Sequence, residues 1–191
     1  MFDAEIHEST GGWTFRVDLE GLQEVVVQPL LGYIEKCGGG ISPEPPDPSL
    51  LICWHQEQTA YLAARAIGVE GVSPLWVYAC LKAGKLLPPE GKQHQPFPGP
   101  GLPAVLKDPA SYVGCISGFA GPERWAWLTM MACMGMRVTK SLAPIGDGRS
   151  THLVACSIEG KSEIEAARTF NMHIVDIRWP EDCLEQPATG G

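Results

Sequence analysis

The chain has 191 residues, enough for one ordinary domain or for two of about 90 residues, each able to bury its own core. Apolar residues are 45% and charged residues 19%, a balance that excludes a wholly disordered chain. Twenty-two acidic residues against 14 basic ones give a net charge of −8, so the surface repels polyphosphate and non-specific nucleic-acid binding is not expected.

There is no apolar run of membrane-spanning length, and the start MFDAEIHEST lacks the basic and apolar regions of a signal peptide. Seven cysteines is an odd number and none pair as CxxC. Reduced, mostly buried thiols in a cytosolic or nuclear protein are the simplest expectation, with no cofactor and no membrane partner.

Taken in chain order, Thr14–Leu19 reads as an extended apolar segment. A helix follows over Gln28–Cys37, with Pro29 near its start and Gly38 able to take the left-handed closing conformation. Gly40–Ile41 is a short strand, and Ser49–Cys53, with its continuous LLIC, fits a strand buried on both faces. Glu57–Ala66 is a second helix, Val69–Val72 a strand, and Ser73–Ala83 a helix that opens on proline and carries Trp76. Residues 88–109, rich in Gly and Pro, then read as a linker.

The same order returns after it. Tyr112–Ser117 is extended, and Glu123–Met134 is a helix with Pro122 near its start and Gly135 after it. Arg137–Val138 and Thr151–Cys156 are strands, Lys161–Phe170 a helix, His173–Val175 a strand and Trp179–Glu185 a last helix. The halves align directly. Residues 18–39 lie over 115–136 without a gap, matching Gly21 to Gly118 and Leu31 to Leu128. Residues 63–81 lie over 166–184, matching Ala-Ala-Arg to Ala-Ala-Arg and Trp76, Cys80 and Leu81 to Trp179, Cys183 and Leu184. A two-copy repeat follows, with a unit of alternating strands and helices that implies a parallel sheet.

This order resembles the BRCT domain. The resemblance rests on Gly-Gly or Gly-Met after the first helix, THLV (Thr151–Val154) in the third strand of the second copy, and W-x-x-x-C-L in each last helix. The first copy departs from it, with SLLI in place of THLV. What the resemblance implies is an α/β chain of two BRCT-like repeats, 13–87 and 110–186, each a small four-stranded parallel sheet flanked by helices. It further implies a non-enzymatic, nuclear protein-interaction module that binds a phosphorylated protein partner. The setting would be a DNA-damage, replication or kinetochore scaffold.

In phosphopeptide-binding BRCT domains a Ser or Thr before Gly, a cation near the first helix start and a Lys at the second helix start hold the phosphate. Ser117, Gly118, Arg124 and Lys161 match those positions. One hydroxyl, one backbone amide and two cations suit a group with about two negative charges. The first copy has Glu20, Val27 and Gln58 instead and is expected to be silent toward phosphate. A module that docks or dimerises without phosphate is the alternative, in which Ser117 ends a strand while Arg124 and Lys161 are solvated.

Other motifs carry less. Gly160-Lys161-Ser162 is GKS, but Ala155 stands where a P-loop needs its first glycine. Gly114–Gly118 is G-x-x-S-G, with the serine one position later than in a nucleophile elbow. His152 and Cys156 lack a second metal-ligand pair and are expected to pack in the core. Trp76 and Trp179 are expected in equivalent buried sites. Of Trp125 and Trp127, one is expected in the core and one at the repeat interface or linker. Met130, Met131, Met134 and Met136 read as a core-facing stripe.

Overall fold

The computed structural model describes residues 14–17, 28–29, 31–32, 34–35, 40–41, 50–83, 87–99, 106, 108–143, 145–146, 148–157 and 162–185. They form two units, divided between Gly99 and Pro100.

In the first unit, β1 (Thr14–Val17), β2 (Gly40–Ile41), β3 (Leu50–Ile52) and β4 (Glu70–Val72) form a parallel sheet in the order β2-β1-β3-β4. The described residues within 28–35 are helical, and Ile34 is buried. α1 (Thr59–Ala66) joins β3 to β4, and α2 (Pro74–Ala83) follows β4. A strand covered on both faces needs an unbroken apolar run, and Leu50, Leu51, Ile52 and Cys53 are all buried. Leu51 and Cys53 pack with Ala64 of α1, which places α1 on one face of the sheet.

The second unit repeats this plan. β5 (Val113–Ser117), β6 (Arg137–Val138), β7 (His152–Ala155) and β8 (His173–Asp176) are parallel in the order β6-β5-β7-β8. α3 (Gly121–Cys133), α4 (Ser162–Thr169) and α5 (Trp179–Glu185) complete it. Side chains alternate across the sheet. Cys115, Leu153 and Ala155 pack with Ile164 and Ala167 of α4. Ile116 and Val154 pack on the other face with Leu128, Met131, Met134 and Met136, where Trp179, Cys183 and Leu184 join them. The methionine stripe is therefore core. The Thr151 hydroxyl accepts the Val113 N–H at 2.9 Å, which ties the start of THLV to β5.

Helix endings verify the internal alignment residue by residue. After α1, Val69 N–H reaches the Ala64 carbonyl and Gly68 N–H the Arg65 carbonyl, with Gly68 at φ +77°. After α4, Met172 N–H reaches Ala167 and Asn171 N–H reaches Arg168, with Asn171 at φ +51°. These are the same paired closing bonds around a left-handed residue, at aligned positions. The predicted Gly135 closure of α3 has the same form, with Met136 N–H on Met131 and Gly135 N–H on Ala132.

Three expectations need correction. Residues 88–99, assigned by composition to the linker, form with Leu87 a strap built into the first unit. Trp76 Nε1 donates to the Leu87 carbonyl at 2.9 Å, and Leu87 N–H to Cys80 Sγ at 3.4 Å, so both signature residues of α2 grip its start. Ser73 N–H then meets the His94 carbonyl, Gln56 Nε2 the Pro96 carbonyl, and His55 pairs with Phe97 as a parallel bridge. Phe97 is 1% exposed against the Trp54 ring, 5.7 Å between centroids. A Pro-rich stretch can be anchored in this way because isolated bonds and one aromatic need no periodicity.

The tryptophans differ from expectation as well. Trp76 is 2% exposed, whereas Trp179 is only partly buried and stacks on Tyr112 and His152. Trp125 and Trp127 are both partly buried against the same core cluster, and the fully buried residue between them is Ala126.

Candidate functional site at the carboxyl end of the second sheet

β5 is a central strand, and parallel strands direct their carboxyl ends toward the loops that lead into the flanking helices. Ser117 ends β5 and is paired in register with Ala155 of β7. Gly118 follows, exposed and at φ +93°, a conformation that favours glycine. The chain then turns into α3, whose Pro122 sits in the first turn, where its missing N–H is harmless. Arg124 lies two residues further on. Ser117, Gly118 and Arg124 therefore share one end of the sheet. Lys161, Glu20 and Val27 lie outside the described residues.

The local bonding adds what the sequence did not show. Ser117 is 1% exposed, and its hydroxyl donates to a carboxylate oxygen of Glu163, in the first turn of α4. Arg124 is not a free surface cation. It is partly buried, with one guanidinium nitrogen on the Ile116 carbonyl and the other on the Lys140 carbonyl at 2.7 Å. It thus braces the end of β5 against the loop after β6 and holds a fixed positive charge on the carbonyl of Ile116, the residue before Ser117. The Lys140 ammonium lies 5.1 Å from the Trp125 ring centroid. Burial pushes the Cys115 thiol up to about 11; the Ser150 hydroxyl and the Arg124 charge oppose this, and the Glu163 charge adds to it. Arg124 and Glu163 are both felt at that thiol, so opposite charges flank the end of β5.

Glu163 is the site residue missed by reading the sequence. An acidic residue in a first helical turn is ordinary, since the helix dipole favours it there. Nothing local shows that it reaches a hydroxyl 46 residues away. In the first unit Gln58, aligned with Lys161, is buried and turned inward. Its Oε1 accepts the Trp54 and His55 N–H groups at 2.9 and 2.7 Å. A neutral amide thus closes the turn after β3, the counterpart of β7.

The other candidates do not assemble a reaction centre. His152 is stacked between Tyr112 and His173, with centroids at 4.9 and 4.8 Å, and its Nδ1 is 2.8 Å from the Thr151 hydroxyl. These residues lie at or before the starts of their strands, opposite Ser117. Cys156 is exposed rather than packed in the core. Among the described residues no three His, Cys, Asp or Glu side chains are placed to hold a metal ion, and no helix is long and apolar enough to cross a membrane.

No family model matches the chain. Over 134 residues, 70% of its length, it is 28% identical to PAX-interacting protein 1 of Danio rerio. Over 73 residues, 38% of its length, it is 34% identical to a BRCT domain-containing protein of Arabidopsis thaliana. It spans 13% and 5% of those two proteins. Among solved structures it is similar to repeats 3 and 4 of S. pombe Rad4, with TM-score 0.58, 18% identity and coverage of 91% of this chain and 90% of that one. It is also similar to yeast Rtt107 in a crystal structure of Rtt107 and Mms22, with TM-score 0.54, 17% identity and coverage of 96% and 44%. The fold is the tandem BRCT fold.

Proposed function

We propose that this tandem BRCT pair is a non-enzymatic protein-interaction module. Its second repeat binds a phosphoserine or phosphothreonine peptide of a partner, within a nuclear scaffold serving DNA damage, replication or chromosome segregation. One observation carries the reading: the buried Ser117 hydroxyl already donates to an anionic oxygen, beside exposed Gly118 and the fixed charge of Arg124. A phosphoryl group offers the same kind of acceptor with more charge and more oxygens. Lys161 would add the second cation. The scaffold setting is supported by the similarity to PAX-interacting protein 1 and by the fold shared with Rad4 and Rtt107.

The Glu163 carboxylate on Ser117 also favours a second reading, a closed site on a module that docks without phosphate. Calorimetry with matched phosphorylated and unphosphorylated peptides, selected from a library, separates the two. Phosphate recognition requires the phosphorylated peptide to bind much more tightly. Lys161→Ala should then weaken it about ten- to a hundredfold, the value of one charge-assisted hydrogen bond. Equal binding of the two peptides, or full affinity in Lys161→Ala, selects the phosphate-independent reading.

A further inference from the structure

We infer that Glu163 is a built-in competitor for the anion site of the second repeat: its carboxylate holds the Ser117 hydroxyl until a phosphoryl group displaces it. The inference rests on the site reading given above and adds its regulation.

The first argument is stoichiometric. A serine hydroxyl has one proton to donate. In this structure Ser117 gives it to Glu163. A phosphate oxygen cannot take that proton until the carboxylate leaves. The second argument is steric. Ser117 is buried at the end of β5, whereas Glu163 is exposed at the start of α4. Its flexible side chain can swing to water without disturbing Ile164, the buried neighbour that anchors α4 to the sheet. The hydroxyl is therefore fixed and the competitor movable. The third is electrostatic. A carboxylate left beside the site repels an incoming dianion, while Arg124 is held by two backbone carbonyls and cannot follow it.

Selectivity follows. A peptide carboxylate brings one charge, as Glu163 does, but must also give up its freedom on binding, so it loses to the tethered side chain. A phosphoryl group brings about two charges and three acceptor oxygens and can win. The site would thus reject aspartate and glutamate stand-ins for phosphoserine. Glu165 provides a control on the same helix. It is acidic and exposed, and its backbone carbonyl accepts the Thr169 hydroxyl.

The test uses the full chain and three probes: the selected phosphopeptide, the same peptide with Glu at the phosphorylated position, and inorganic phosphate followed by chemical shifts at Ser117 and Gly118. Glu163→Gln and Glu163→Ala should bind the phosphopeptide about ten- to a hundredfold more tightly than wild type, the range of one hydrogen bond to a charged group. Glu165→Gln should change it less than about threefold, as expected of a screened surface charge. The Glu-substituted peptide should bind Glu163→Ala and not wild type. Equal gains in Glu163→Gln and Glu165→Gln would reduce Glu163 to one charge among many and overturn the inference. So would Lys161-dependent phosphopeptide binding in wild type that Glu163→Ala leaves unchanged or weakens, with the site reading intact. If neither wild type nor Glu163→Ala takes the phosphopeptide or inorganic phosphate, the site reading falls and the inference with it.

Discussion

Phe97→Ala tests whether the strap is part of the first repeat. The Phe97 ring is 1% exposed and packs on Trp54, 5.7 Å between centroids. A buried aromatic of this size removes ~150–250 Å² from water. At ~25 cal/mol/Å² that gives ~4–6 kcal/mol, an upper bound because a real unfolded chain already hides part of that area. Aromatic truncations in cores cost ~3–5 kcal/mol, and the first repeat should lose that much. The backbone bonds Phe97 N–H to Trp54 and Gln56 N–H to Phe97 survive the substitution in principle, so the loss isolates packing. Urea unfolding of the full chain, followed by residue-level amide exchange, measures it. Protection should fall at Gln56, Ser73 and Phe97 together, because their N–H groups either bond the strap or belong to it. A loss under about 1 kcal/mol with unchanged exchange would refute the reasoning and restore residue 88 as the start of a free linker.

Trp76→Ala should destabilise its repeat by ~3–5 kcal/mol and release the strap at Leu87, whereas Trp179→Ala should cost clearly less because its ring is only partly buried; equal losses in paired urea titrations would contradict the burial difference. His94 and His152 are held below the ordinary imidazole value of 6.5, both mainly by burial and His152 also by the His173 charge. A base with a lowered folded pKa binds fewer protons folded than unfolded, so stability should be full above about pH 6.5 and fall as pH drops below it; urea midpoints that rise on acidification would contradict the sign. His152→Gln should flatten that dependence for the second repeat. Burial pushes Cys115 up to about 11 and Cys133 up to about 12, so neither should alkylate at about pH 8 without unfolding, while exposed Cys156 should label first among the described cysteines; mass spectrometry of iodoacetamide-treated protein reads the order.

The repeated architecture is legible in the amino-acid order, because its signals are local. The apolar run Leu50–Cys53 demands cover on both faces, and Gly135 stands where a helix closes through a left-handed residue; the matching closures at Gly68 and Asn171 came from the structure. The shared Trp and Cys-Leu positions align the two copies, and Ser117-Gly118 with Arg124 marked the end of β5. The remaining features emerge only on folding, because they depend on partners distant in the chain. Leu87 is gripped by Trp76 and Cys80, and Phe97 is buried on Trp54, so part of a Pro-rich stretch became core. Trp179 stays partly exposed despite its signature position, since an aromatic can stack on Tyr112 and His152 at the starts of the central strands as well as sink beneath the sheet. Arg124 turned from a solvated cation into a brace on two carbonyls, and Glu163, unremarkable in a first helical turn, came to rest on Ser117. Periodicity and capping fix which elements form. Where a polar side chain ends up depends on which donors and acceptors the packed sheet leaves within its reach.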